Sequence, residues 1–352
     1  MSKQEFLDIL EEKLSAKVNR EETASLVQYY DGYIDEALDF GMSESEIIEQ
    51  LGDLDLLADE ITQGLSQENI DISTREIAVT TNDLEGLEMD LRNTSVEVVY
   101  DDTISGISVK VDKRFKQDYL VKTIDGVFKI KQIKSSISVG PGFVVRYNRG
   151  EDKRLFDFDF NFDLEIKSRK LYVRIPSSYD LETSIVTTNA KIDISEGNDK
   201  VQTAPVRLAT TCSSITVNNM KIRDLHLKTS NAPIRLNNVD SEILEAVTSN
   251  AKIVMEDVLA KQLKVQTTNV KIQLDDVLFL EGRIKTTNAK ISCALRNNDL
   301  SKHVRYKTSN SKVVIDGVRY DNRGELDFND QGELMKLDVQ TTNAKIELEN
   351  FK

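Results

Sequence analysis

The sequence has 352 residues, of which 60 are acidic and 46 are basic, so its formal net charge at pH 7 is −14. This charge disfavours nucleic acid as a partner, because duplex binding depends on lysine and arginine side chains that neutralise phosphates. A hydrophobic content of 39% is enough for a folded core and excludes a wholly disordered chain.

The negative charge lies in the first fifth of the chain. Residues 1–70 contain 18 acidic and 4 basic side chains, whereas the remaining residues contain 42 of each. Such an asymmetry predicts two modules with different surfaces.

The first module, residues 1–66, is predicted to be a small α-helical bundle with an acidic exterior. Ser2 is the expected N-cap of its first helix, and Ser43 with Glu46 has the spacing of a capping box. The side chains at helical spacing that are expected to face the core are Phe6, Leu7, Leu10, Leu14, Val27, Tyr30, Ile34, Ala37, Leu38, Ile47, Ile48, Leu51, Leu57, Ala58 and Ile61.

The start of the chain is acidic and amphipathic, which is the opposite of a secretory signal. No apolar run reaches the roughly 18 residues that a transmembrane helix needs. The sequence therefore predicts a cytoplasmic protein without a membrane span, and peripheral association with a membrane stays open as an alternative.

The second module contains a six-residue repeat of the type TTNAKI. Its copies begin at Thr187, Thr210, Thr229, Thr248, Thr267, Thr286, Thr308 and Thr341. Successive copies are separated by 23, 19, 19, 19, 19, 22 and 33 residues. A fixed short period with apolar residues two apart predicts a mainly β protein, a parallel β-solenoid with coils of about 19 residues.

The predicted boundaries follow from this repeat. A linker at 67–73 leads into an irregular β region at 74–182, which starts and caps the solenoid, and its phenylalanines at 156–162 alternate as in one long strand. Regular repeats occupy 183–352. The longest interval predicts a hairpin insertion near 318–340, and the last repeat is expected to leave an open strand edge.

Two columns of polar residues recur in the repeats. The first is a structural Asn ladder, in which left-handed corners and amide bonds between coils are expected, with a substrate-binding row as the other interpretation. Its members are Asn189, Asn231, Asn250, Asn269, Asn288, Asn310 and Asn343.

The second column is a possible surface Lys stripe, formed by Lys191, Lys252, Lys271, Lys290 and Lys345. Acidic neighbours such as Asp257 and Asp276 are expected to offset the repulsion between stacked lysines. A stripe of this kind either keeps the solenoid face solvated or recognises an anionic polymer or peptide.

The sequence offers no catalytic residues, no cofactor site and no metal ligands. His226 and His303 are expected to lie about four coils apart, as are Cys212 and Cys293, so neither pair forms a catalytic site or a disulfide. The sequence contains no nucleophile triad and no glycine loop that would hold a phosphate.

Two resemblances cover nearly the whole chain. KQEFLDILEEKL, YYDGYIDEALDFGMSESEIIEQLG and LADEI resemble the HAAS-type helical signalling domain of Gram-positive bacteria. Residues 74–352, with the phrase T-x-N-(G/A)-x-I, look like the putative-adhesin β-strand-repeat family and are similar to LiaX-type envelope-stress proteins. These resemblances imply a role in cell-envelope stress or regulatory signalling.

The sequence thus favours a non-catalytic interaction protein. The helical head would bind a protein partner, and the solenoid would be a rigid arm or a binding platform. Two alternatives stay open: a self-assembling, bactofilin-like scaffold, which would be a homo-oligomer, and a surface adhesin or carbohydrate-binding β-helix.

Overall fold

In the residues that it describes, the computed structural model has three α-helices, a further helical segment at 54–59 and a 22-stranded sheet. It describes residues 1–17, 20–39, 42–51, 53–59, 74–79, 84–112, 115, 118–133, 169–196, 201–328 and 332–351. The predicted linker, Ile61 and the strand predicted around 156–162 lie outside the described residues.

The helices and the first strands come in chain order. They are α1 (Lys3–Ser15), α2 (Arg20–Asp39), α3 (Glu44–Leu51), β1 (Thr74–Val79), β2 (Gly86–Arg92), β3 (Thr94–Asp101), β4 (Ser108–Asp112), β5 (Tyr119–Ile124), β6 (Val127–Gln132) and β7 (Arg169–Pro176). Residues 54–59 are also helical.

The remaining strands build the solenoid. They are β8 (Glu182–Thr188), β9 (Ile192–Glu196), β10 (Val201–Gln202), β11 (Val206–Ala209), β12 (Ile215–Lys228), β13 (Ile234–Val247), β14 (Ile253–Gln266), β15 (Ile272–Lys285), β16 (Ile291–Leu295), β17 (Ser301–Lys307), β18 (Val313–Ile315), β19 (Val318–Tyr320), β20 (Arg323–Phe328), β21 (Leu334–Gln340) and β22 (Ile346–Glu349).

The helical unit begins with a complete capping box. The Ser2 side chain accepts a hydrogen bond from the Glu5 backbone, and the Glu5 side chain accepts one from the backbone of Ser2. Ser43 and Glu46 make the same pair of bonds at the start of α3. Leu38, predicted to face the core, is instead 36% exposed.

The helical core also takes side chains from the β region. Leu120 and Ile133 pack with the buried residues of the helices. Lys122 contacts the Glu46 carboxylate at 3.1 Å. The compact unit that contains the helices therefore also includes residues 118–122 and 131–133, and it is larger than residues 1–66.

The predicted parallel solenoid is confirmed. In β12–β15 each coil is one long strand of 14 residues with matched register between neighbouring coils. A left-handed residue bends each strand after its first segment, with φ between 53° and 55° at Asn219, Asn238, Asp257 and Asp276. Asn and Asp tolerate this conformation, so the corner costs little strain.

Apolar side chains of every coil fill the interior. Ile215, Val217, Leu225 and Leu227 are at most 1% exposed and repeat in the coils stacked above. Each fully buried aliphatic side chain contributes about 1.5–3 kcal/mol through removal from water. These aliphatic columns are the main source of the stability of the solenoid.

The coil that comes last in the sequence does not lie at the end of the solenoid. β21 lies between β15 and β17, and β22 lies between β16 and β18, all in parallel register. The terminal coil, defined as residues 334–349, is therefore inserted inside the stack. The prediction of an open C-terminal strand edge is wrong, because β22 is paired on both sides.

The long interval between the last two repeats holds antiparallel capping strands. β19 pairs with β18, and β20 pairs with β17. Because β17 lies between β20 and β21, those two strands do not pair, and the hairpin predicted near 318–340 is not formed. The extra residues close the end of the parallel stack and return the chain to it.

The opposite end of the solenoid has a similar construction. β2 pairs in parallel with β8, and β3 lies between β9 and β7. β4 then pairs antiparallel with β7. The coil formed by 86–101 is thus a regular neighbour of 182–196, although about 80 residues of sequence separate them.

Candidate binding surface

Six of the seven members of the Asn ladder, all except Asn189, form a continuous row of amide hydrogen bonds. Each Nδ2 donates to the Oδ1 of the neighbouring coil: Asn250 to Asn231 at 2.9 Å, Asn269 to Asn250 at 2.7 Å, Asn288 to Asn269 at 2.8 Å, Asn343 to Asn288 at 2.7 Å and Asn310 to Asn343 at 2.7 Å. Asn343 lies between Asn288 and Asn310 in this row, as expected if the terminal coil is inserted between the coils of those two residues.

The lower end of the ladder is interrupted by Cys212, whose Sγ lies 3.7 Å from Nδ2 of Asn231. Asn189 instead donates to Asn93 Oδ1 at 3.3 Å. The left-handed backbone expected in this column is present only at Asn189 among its seven members. The expectation of a left-handed backbone is therefore wrong for the other six members. In the regular coils the left-handed residue comes later, at Asn219, Asn238, Asp257 and Asp276.

The first Thr of each repeat has a role that the repeat pattern alone did not suggest. These threonines are buried, and their hydroxyls donate to carbonyls of the adjacent coil, as Thr267 does to Ala251 at 3.1 Å and Thr341 does to Ala289 at 3.2 Å. The hydroxyl satisfies a corner carbonyl that is shielded from water. The signal for this role is a Thr that is present in all eight copies of the phrase and buried in each of them.

The Asn ladder yields a graded stability prediction. Asn269→Ala removes one donated and one accepted amide bond, whereas Asn310→Ala removes the single bond to Asn343. We expect a loss of about 1–2 kcal/mol for the first variant and about half as much for the second, because one net hydrogen bond contributes roughly 0.5–1.5 kcal/mol. Urea unfolding measures both values, and equal losses would contradict the expectation that the loss follows the number of amide bonds removed.

The lysines of the repeat form a column beside the ladder. Backbone hydrogen bonds between coils show which residue occupies the lysine position in each successive coil. The order begins with Lys191, continues with Ser214 and Pro233, which interrupt the column, and then reaches Lys252. After Lys271 the order continues as Lys290, Lys345 and Lys312. Lys191 is thus set apart from the others and contacts Asp193 at 2.7 Å.

Five lysines are contiguous in space, and we call Lys252, Lys271, Lys290, Lys345 and Lys312 the lysine row. Lys312 was missed in the sequence pattern, although TSNSKV places it at the same position of the phrase. Lys290 and Lys345 share the carboxylate of Glu347. Lys290 first, and Lys345 with it, hold the pKa of Glu347 at about 2.

The acids expected to offset the lysines are used elsewhere. Asp257 and Asp276 both bind the Arg296 guanidinium, the latter at 3.0 Å. The expectation that they neutralise the lysine column is therefore wrong. Their left-handed corner positions direct the carboxylates towards Arg296, the residue that follows β16.

On a different face of the solenoid, acidic side chains of one coil form ion pairs with basic side chains of a neighbouring coil. Glu242 contacts Lys261 at 2.6 Å, and Glu245 contacts both Lys264 and the Nδ1 atom of His226. This face also has a shallow depression around Gly282. Glu242 and Glu245 thus neutralise the lysines of the next coil.

The histidines and cysteines do not come together. Five strand pairings separate the coils of His226 and His303, one more than predicted, because the terminal coil lies between them. Cys293 is buried, which raises the pKa of its thiol to about 12, and Cys212 is exposed. Among the described residues no cluster of three or more His, Cys, Asp or Glu could hold a metal ion.

Most of the four cations of residues 1–70 pair with acidic side chains of the same segment. Lys3 contacts Asp31 and Asp35, each at 2.6 Å, and Lys13 and Lys17 bind Asp55 and Asp59. These pairs connect the helices, whereas the exposed Glu11, Glu12 and Glu49 form no ion pair among the described residues.

Glu46 provides a pH test of this unit. The Ser43 backbone and hydroxyl, and then Lys122, lower its pKa to about 2. A carboxylate with a lowered folded pKa stabilises the fold above its ordinary pKa and loses this effect as the pH falls towards the folded value. We expect Glu46→Gln to melt earlier than the parent at pH 7 and the difference to vanish between about pH 4.5 and pH 2.

Thermal melts of the helical circular-dichroism signal at several pH values measure this difference. Glu49→Gln changes an exposed glutamate of the same helix and serves as the control. A constant difference across the pH range would contradict the role of the Glu46 carboxylate.

Fold and surface together define a parallel β-solenoid repeat protein with an N-terminal helical unit. Among the described residues, no helix is both long enough and apolar enough to span a membrane. The Toastrack DUF4097 family model matches residues 87–309, more than half of the chain, and the chain belongs to this family. The HAAS model matches residues 5–60, which confirms the helical resemblance. Both families are non-enzymatic.

Two solved structures are similar to the chain. A putative adhesin from Parabacteroides merdae ATCC 43184 is 12% identical, with a TM-score of 0.42, over 79% of this chain and 95% of that one. A putative cell adhesion protein from Clostridium sporogenes ATCC 15579 is 10% identical, with a TM-score of 0.23, over 79% of this chain and 98% of that one. No curated protein matches the sequence.

Proposed function

We propose that this protein is a non-catalytic interaction protein of bacterial envelope-stress or regulatory signalling. Its HAAS domain binds a basic protein partner, and its solenoid serves as a rigid binding platform. A cytoplasmic location is part of the proposal. The observation that carries it is the concentration of 18 acidic and only 4 basic side chains in residues 1–70.

The ion pairs of the helical unit support this role. Three of the four cations of residues 1–70 already bind aspartates of the same segment. The carboxylates of the exposed Glu11, Glu12 and Glu49 form no ion pair in the part of the chain that the structure describes, and they are available to a partner. A surface of one sign accelerates and selects association with a surface of the opposite sign, and the effect weakens with salt.

The test compares two full-length variants with equal changes in charge. Glu11→Gln, Glu12→Gln and Glu49→Gln alter the helical unit, whereas Asp240→Asn, Glu256→Gln and Glu281→Gln alter exposed acids of the solenoid. Affinity capture from the native bacterium should recover a basic protein with the parent and with the solenoid variant, and recover much less with the helical variant. Capture that is insensitive to salt, or equal loss in both variants, would contradict the proposal.

The location has its own test. Protease treatment of intact cells should leave the protein undigested if it acts inside the cell. Digestion would contradict the signalling role and favour the surface adhesin.

A further inference from the structure

The lysine row is a straight line of like charges along the solenoid. Consecutive coils are one strand spacing apart, so its five ammonium groups extend over roughly 19 Å at about 4.8 Å per step. Because the terminal coil brings Lys345 between Lys290 and Lys312, the row has no gap. The sequence order of the repeats hides this continuity.

These charges are poorly compensated. One carboxylate, that of Glu347, serves both Lys290 and Lys345. Within the described part of the chain, Lys252, Lys271 and Lys312 contact no acidic side chain within 4 Å. Stacked like charges destabilise a sheet, and the face that carries Glu242 and Glu245 avoids this by pairing opposite charges between coils.

The Asn ladder runs parallel to the lysine row and adds neutral donors. Asn250 is exposed and Lys252 is half-buried at one corner, and Asn269 with Lys271 and Asn288 with Lys290 repeat these positions in the next two coils. An amide nitrogen carries two hydrogens, and the ladder uses one of them in each Asn. The second hydrogen can bond an oxygen of a ligand.

We propose that this corner binds a linear phosphate polymer that runs along the solenoid axis, with its phosphates on the lysine row and its oxygens beside the Asn amides. Lysine acts as a point charge towards phosphate and needs no fixed orientation. Single exposed ion pairs are weak, so binding depends on several lysines acting together. This inference rests on the proposed role of the solenoid as a platform, and it is independent of partner binding by the HAAS domain.

The experiment titrates the full chain, at near-physiological salt, with inorganic polyphosphate long enough to span five coils. A second titration uses a poly(glycerol phosphate) chain, and a third uses orthophosphate. The polymers should bind and orthophosphate should not. Preference between the two polymers identifies whether the natural ligand is a phosphoanhydride or a phosphodiester chain.

Two triple variants locate the site. Lys252→Gln, Lys271→Gln and Lys312→Gln remove the lysines that have no acidic partner, whereas Lys221→Gln, Lys261→Gln and Lys264→Gln remove the same charge from other parts of the coils. We expect polymer affinity to fall about tenfold in the first variant, at roughly two- to threefold per exposed ion pair. In the second variant it should change less than about twofold.

Equal losses in the two variants would overturn the proposal, because binding would then follow net charge alone. Binding of orthophosphate as tight as that of the polymer would also overturn it. So would tighter binding of a single-stranded oligonucleotide with the same number of phosphates. Capture by the HAAS domain is measured separately, so failure here leaves the partner-binding result distinguishable.

Discussion

Gly282→Leu is expected to destabilise the solenoid by about 1–3 kcal/mol, although leucine is the usual residue of its column. Leu225, Leu244 and Leu263 occupy this inward position in the preceding coils. A Cβ atom on Gly282 would overlap the ring of Phe279. The ring of Phe279 fills the space that leucine takes in the other coils.

The same contact predicts a rescue. Phe279→Ala alone should cost about 3–5 kcal/mol, because the ring is buried and leaves a cavity. The double variant Phe279→Ala with Gly282→Leu recreates the Ala260 and Leu263 pair of the coil before. It should therefore cost less than the sum of the single variants by about 0.5–3 kcal/mol.

Urea unfolding of the four proteins gives the coupling energy. The control cycle combines Phe279→Ala with Leu225→Ala, whose coil is three pairings away, and these two losses should add. Additive losses for Phe279 and Gly282 would show that the ring does not replace the missing leucine.

The period of the repeat predicts the core but not the order of the last coils. Apolar residues two apart must alternate between the interior and solvent, so Ile272 and Ile291 could be assigned inward from the sequence. The phrases at 308 and 341 carry the same Thr, Asn and Lys residues. The Thr, Asn and Lys columns would be filled equally well whether the coil at 341 lies beyond the coil at 308 or is inserted before it. The 33-residue interval between these two phrases does not distinguish an inserted coil from a protruding hairpin.

Contacts between distant segments have no periodic signal either. Leu120 and Ile133 enter the helical core from the β region, and the coil at 86–101 pairs with 182–196. The candidate surface was therefore predictable in its residue types, through the TTNAKI phrase. Its continuity depends on the inserted coil and was not predictable.

Deleting residues 332–352 is expected to release residues 301–328 as well, rather than to shorten the solenoid by one coil. β17 pairs only with β20 and β21, and β18 pairs only with β19 and β22, among the strands described. The deletion also removes Met335, Leu337, Ile346 and Leu348 from the core, each at most 2% exposed. The loss of their burial amounts to several kcal/mol.

Limited proteolysis with mass spectrometry measures this effect. Cleavage should begin near residue 300 in the truncated protein, while the coils from β8 to β15 stay protected. Protection of 301–328 would mean that β17 and β18 pair directly with β15 and β16, and would contradict the expectation.

Engineered disulfides test the coil order in the full chain, with Cys212 replaced by serine. Asn288→Cys with Asn343→Cys joins neighbouring positions of the Asn ladder and should oxidise readily, because adjacent strands place Cα atoms about 5 Å apart, within the range of a disulfide. Asn288→Cys with Asn310→Cys lies two strand spacings apart, roughly 9.6 Å, and should stay reduced. Sequential stacking of the repeats would reverse the two results, because Asn310 would then be the neighbour of Asn288.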